Sequence, residues 1–115
     1  MATNSDTAYI SKAVRLLRAL RLGIADDISI QLAHTFMIVA ENEGKTVNEL
    51  GELVGSSRTT ISRHLLDLSE RLRNGEAGYK LVNRIQHPTD LRSVIFTVSP
   101  RGRQVLNSVK DAMED

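Results

Sequence analysis

Cysteine is absent from the whole chain, which excludes disulfides, thiolate metal ligands and a thiol redox switch. No apolar run approaches the ~20 residues needed to cross a bilayer. The N-terminus, MATNSDTAYISKAV, lacks the basic start and continuous apolar core of a secretory signal. No glycine-rich phosphate loop and no paired-carboxylate motif occurs. His34, His64 and His87 are scattered without metal-ligand spacing. Ser62, His64 and Asp67 look like a hydrolytic triad in print, but at i, i+2 and i+5 of one helix they do not converge. These absences point away from an enzyme, and no metal or cofactor is expected. A reducing cytoplasm suits a chain without thiols, and no membrane partner is expected.

What is present fits one domain, residues 1–115, of a size at which a second subunit would help to bury apolar surface. The net charge of +1 hides a strong asymmetry. Residues 1–55 hold 5 Lys/Arg against 7 Asp/Glu, whereas residues 56–110 hold 10 against 4. Positive charge is therefore concentrated in the second half, as a phosphate-contacting surface requires. A merely solvated charged face is the plainer alternative.

Helical spacing predicts a first helix over 6–22, capped by Ser5 or Asp6, with Ile10, Ala13, Val14, Leu17 and Leu20 as its apolar stripe and Leu16 widening it. So wide a band on a terminal helix suits burial on two sides, one of them a second subunit. A second helix is predicted over about 28–43, capped by Asp26 or Asp27, with Ile28, Leu32, Phe36 and Val39 inward and Gly44 as its C-terminal glycine. Thr46 and Glu49 form a T-x-x-E capping box for a third helix, with Val47, Leu50, Leu53 and Val54 inward and Gly55 at its end. A fourth helix follows, capped by Ser56 or Ser57 and running to about Leu72. In it Ile61, Leu65, Leu68 and Leu72 form a buried stripe.

That stripe leaves Arg58, Thr59, Ser62 and Arg63 toward solvent or a groove; with Ser57 and Thr60 they are the polar stock with which a helix-turn-helix touches phosphates and base edges. After the loop RNGEAG, the segments YKLVNRIQ and RSVIFTVS are rich in strand-forming residues and flank the turn HPTDL. Ser99 and Pro100 then open a last helix, with Val105, Leu106, Val109 and Met113 on one side. A helix-turn-helix followed by a hairpin gives a mainly α fold with a small β-hairpin wing, the winged helix-turn-helix.

Three stretches, TVNELGELVGSSRTTISRHLLDL, PTDLRSV and TVSPRG, occur in an order and spacing that resembles the MarR family of winged-helix transcription regulators, from about Ile28 to Leu106. The resemblance implies a homodimeric repressor acting on double-stranded DNA at a pseudo-palindromic site. It also implies an Asp-x-Arg wing, here Asp90 and Arg92, whose arginine enters the minor groove. On that basis Arg58, Thr59, Thr60 and Ser62 are the expected base readers, and Ser57, Arg63 and Arg84 the expected phosphate contacts. The terminal helices, about 6–22 and 100–113, are the expected dimer interface. The chain departs from the family in a longer link, SERLRNGEAGYKLVNR, so the fourth helix is expected to extend or the wing to be reset. It also stops soon after its fifth helix, where the family continues with another. Oxidant sensing through cysteine is excluded, which leaves a small-molecule effector, a partner protein or no signal at all. The rival reading of the chain is a winged helix that binds protein, against which Arg58, Arg63, Arg84 and Arg92 argue; for Asp90 and Arg92 the plainer alternative is a salt bridge at a hairpin tip.

Overall fold

The structure, a computed structural model, describes residues 4–114, with side chains from residue 6 onward; Ser5, an expected cap, lies outside the described side chains. The elements run α1 (Asn4–Gly23), α2 (Ile30–Glu41), β1 (Lys45–Thr46), α3 (Val47–Val54), α4 (Arg58–Ser69), β2 (Val82–Gln86), β3 (Val94–Val98) and α5 (Pro100–Met113). This is the winged helix-turn-helix order. The chain divides into two compact units, one of Ser29–Arg103 and one of the segments up to Ile28 and from Gln104.

In the larger unit α2 starts later than expected. Ser29, not Asp26 or Asp27, caps it, with Oγ accepting the Leu32 N–H at 3.0 Å. Asp26 is engaged elsewhere, its Oδ1 taking the Arg21 guanidinium at 2.7 Å. The helix also stops at Glu41, three residues before Gly44. Gly44 does adopt the left-handed conformation (φ 92°), but it uses it to enter the sheet, donating its N–H to the Phe96 carbonyl at 2.8 Å.

The capping box of α3 forms as expected. Glu49 N–H donates to Thr46 Oγ1 at 3.3 Å and Thr46 N–H to Glu49 Oε1 at 2.9 Å. Those bonds hold the Glu49 carboxyl below its ordinary range. Gly55 ends the helix at φ 83°, which turns the chain into α4. Leu53, expected inward, is 48% exposed. The inward direction of this short helix runs between Leu50 and Gly51, and Ile61 fills the space that a Gly51 side chain would take.

In α4 the stripe of Ile61, Leu65 and Leu68 is fully buried, together with Phe36, Leu50 and Leu81. Each such side chain contributes on the order of 1.5–3 kcal/mol by leaving water. The helix ends at Ser69 rather than Leu72 because the following segment turns back onto its last carbonyls. Gly78, Tyr79 and Leu81 donate their N–H groups to Glu70, Asp67 and Leu68 at 2.8–2.9 Å. The extra residues of the long link therefore do not extend the helix. They fold into a small closed turn in which Arg71 bridges Ala77 and Gly75 (φ 90°) sits at the tip.

The sheet is antiparallel, in the order β1-β3-β2, with Val82 opposite Val98 and Gln86 opposite Val94. The strand β1 was not expected from the sequence, since two residues carry no periodicity. Glu43 lengthens its side of the sheet. Its Oε1 accepts the Val98 N–H at 2.7 Å, and its Oε2 pairs with Arg103. The Val98 amide and then Arg103 hold the Glu43 carboxyl below its usual range.

In the smaller unit Val105, Val109 and Ala112 are buried at i, i+4 and i+7 of α5. Met113, expected on that side, is one position past the stripe and 48% exposed. Gly23 lies close beneath Val105, and Arg15 of α1 donates to the Ala112 carbonyl at 3.3 Å. Of the stripe expected on α1 only Leu20 is buried; Ile10, Val14 and Leu17 are 45–49% exposed. None of the described helices is long and apolar enough to cross a membrane.

Candidate nucleic-acid interface

With Ile61, Leu65 and Leu68 anchored in the core, α4 turns a polar face outward from its first residue. Ser57 caps the helix through its hydroxyl. Its Oγ accepts the Thr60 N–H at 3.2 Å and donates to Thr60 Oγ1 at 3.1 Å. Thr60 is accordingly half-buried, while Arg58, Thr59 and Ser62 are exposed. Arg63 behaves differently from its neighbours. It is half-buried and ion-paired with Asp67 one turn along at 2.9 Å. Its Nε and the Nδ1 of His64 are buried without a hydrogen-bond partner among the described residues.

Arg58 is held from outside its own helix. Its Nη1 donates to Oδ1 of Asn48, on the first turn of α3, at 2.5 Å. An amide oxygen orients the guanidinium without neutralising it, so the donors facing away stay available. Sequence reasoning missed Asn48, because nothing in a pattern ten residues upstream marks it as a partner.

Between β2 and β3 the turn is closed by His87 N–H on the Ser93 carbonyl (2.9 Å) and Ser93 N–H on the Asp90 carbonyl (3.0 Å). Asp90 holds the main chain at Arg92 rather than its guanidinium. Its Oδ1 accepts the Arg92 backbone N–H at 3.0 Å and its Oδ2 the Ser93 hydroxyl at 3.1 Å. These two bonds, the amide first, hold the Asp90 carboxyl below its usual range. The guanidinium itself is 3.6 Å away at Nε, and the Arg92 side chain is 94% exposed. A pair this open and loose contributes little to stability. The cation is displayed rather than spent.

Helix and wing share one surface. An open cleft of about 550 Å³ is lined by Asn48 of α3, Arg58 and Ser62 of α4, Arg84 of β2, and Arg92 and Ser93 of the wing. Glu70 is the one carboxylate in its lining. Three guanidinium groups against one acid make the cleft cationic. Of the expected site residues, Arg58, Ser62, Arg84 and Arg92 are brought together here, Asp90 and Thr59 flank the group, and Arg63 is tied to its own helix.

No protein-family sequence model and no curated protein sequence matches the chain. Solved structures do. A MarR family transcription regulator is 22% identical with a TM-score of 0.62, over 96% of this chain and 64% of that one, so the chain spans less than two thirds of that regulator's length. FabT of Streptococcus pneumoniae, solved in complex with DNA, is 22% identical with a TM-score of 0.64, over 94% of this chain and 71% of FabT. The transcriptional repressor CouR, bound to a 23-mer DNA duplex, is 20% identical with a TM-score of 0.65, over 93% of this chain and 68% of CouR. The three-stranded wing, the glycine turn before α4 and these likenesses agree: the chain has the winged helix-turn-helix fold of MarR-family transcription regulators.

Proposed function

We propose that this chain is a sequence-specific regulator of transcription that binds double-stranded DNA, a MarR-type repressor acting as a cytoplasmic homodimer. The observation that carries the reading is the cationic cleft shared by α4 and the wing, with Arg58, Arg84 and Arg92 around Ser62. DNA-bound FabT and CouR, of the same fold, support it. In this reading Arg58, Thr59, Thr60 and Ser62 face base edges in a major groove. Ser57, Arg63 and Arg84 contact phosphates. Arg92, its main chain held by Asp90, enters the neighbouring minor groove, where a narrow negative channel favours a guanidinium. Without cysteine, the effector classes open to the chain are a small molecule and a partner protein.

The test is a fluorescence titration against random duplex DNA at two salt concentrations. A dimer that neutralises about 6 phosphates should lose affinity with a log–log slope near about −5. No binding even at low salt would instead favour a protein-binding winged helix.

The exposed stripe of Ile10, Val14 and Leu17 on α1 supports a second copy as the partner that covers it. Two-fold symmetry then predicts half-sites about one turn, ~10 base pairs, apart. Val14→Glu with Leu17→Glu should yield monomers in sedimentation velocity without loss of helix content. An unchanged mass would remove α1 from the interface.

A further inference from the structure

The wing turn hangs on one imidazole. His87 Nδ1 accepts the N–H of Thr89 at 3.1 Å and that of Asp90 at 3.1 Å, and the Thr89 hydroxyl lies 3.4 Å away. Two N–H groups aimed at one ring nitrogen require a lone pair there, so the ring's single proton belongs on Nε2. The bonds form a series. His87 fixes the main chain of Asp90, and Asp90 in turn fixes the main chain of Arg92 and the hydroxyl of Ser93.

We propose that His87 is a positioning residue for the wing, and that adding a second proton to its ring disorders the turn and weakens DNA binding. The proposal rests on the DNA-binding reading above. Imidazoles as a class change charge between about pH 5 and 8. A proton on Nδ1 sets three donors against one another and removes the acceptor of both amides. Among the described residues, the carboxylates of Asp90, in the same turn, and Glu49, on α3, lie within electrostatic range of the ring. A freed imidazolium turning to Asp90 would draw that carboxylate from the Arg92 amide. The sign is diagnostic. A cation gained beside phosphates ordinarily tightens DNA binding as pH falls, whereas here acid loosens it.

The experiment measures DNA affinity from about pH 8 to about pH 5.5 and follows the Thr89 and Asp90 amide signals by NMR over the same range. The wild-type chain should lose affinity roughly tenfold, the scale of one lost nucleic-acid contact. H87N places an untitratable oxygen where Nδ1 stands, so it should bind like the wild type at high pH and stay level on acidification. H87Q carries its amide one bond farther out and should bind weakly throughout. A parallel decline in H87N would place the cause outside residue 87 and overturn the proposal, as would wild-type affinity that rises in acid. Amides that ignore the ring's titration would also overturn it, whatever the DNA does. Amides that follow the ring while affinity stays level would overturn the coupling to DNA and remove the wing from the contact surface. A chain that binds no DNA at any pH would sink the functional reading, and the amide signals would still judge the turn.

Discussion

Gly102→Ala is expected to destabilise the fold by about 3 kcal/mol, at the upper end for overpacking a filled site. Gly102 sits in the first turn of α5, where the helix crosses the chain entering β2. An added Cβ would overlap the Leu81 carbonyl oxygen and stand 2.7 Å from Val98 Cγ1. Neither neighbour can move cheaply. The Leu81 carbonyl accepts the Ser99 N–H at 3.0 Å, and Ser99 Oγ both donates to the Lys80 carbonyl at 2.6 Å and accepts the Gly102 N–H at 3.0 Å. In an open helix the same change would gain up to about 1 kcal/mol of helix propensity, so a measured loss is net of that gain. Urea unfolding gives the answer: a midpoint equal to or above that of the parent would disprove the close crossing.

The largest effect on DNA binding is expected at Arg58. Arg58→Ala should cost about 1–3 kcal/mol and relax preference at one base position, if its guanidinium reads a base. Competition between a selected site and single-base variants distinguishes this from backbone positioning, in which every sequence would lose equally. The Asn48 bond supplies a second check. Asn48→Ala should weaken binding less than Arg58→Ala, and should cost almost nothing further once Arg58 is gone, because both changes act through one guanidinium. Additive losses would separate Asn48 from Arg58.

The parts of the fold legible in the sequence were those written in neighbouring residues. Thr46 and Glu49 make a capping box from residues three apart, Gly55 supplies a left-handed turn, and Ser57 caps the helix that follows. The buried face of α4 followed from spacing alone, and with it the outward face bearing Arg58 and Ser62. What was missed depends on partners distant in sequence or on competition between local signals. The strand β1 exists only because Phe96 and Ile95 pair with it. The end of α4 is set by amides that arrive from residues 78–81. Asp26 had the chemistry of a cap but was claimed by Arg21. At the site, Arg63 was legible as a cation, but its pairing with Asp67 decides how freely it can reach outward.

The turn after α4 has a consequence for spacing. Leu72 and Glu76 are bonded at 2.8 Å, and Arg71 bridges Ala77, so the turn is tied shut at its neck. The distance from helix to wing is therefore fixed by the neck and not by how many residues lie in the tip around Asn74 and Gly75. Residues, or a fluorescent label, added at that tip would bulge outward and leave the reach between helix and wing unaltered, which makes this turn the natural place to lengthen or tag the protein.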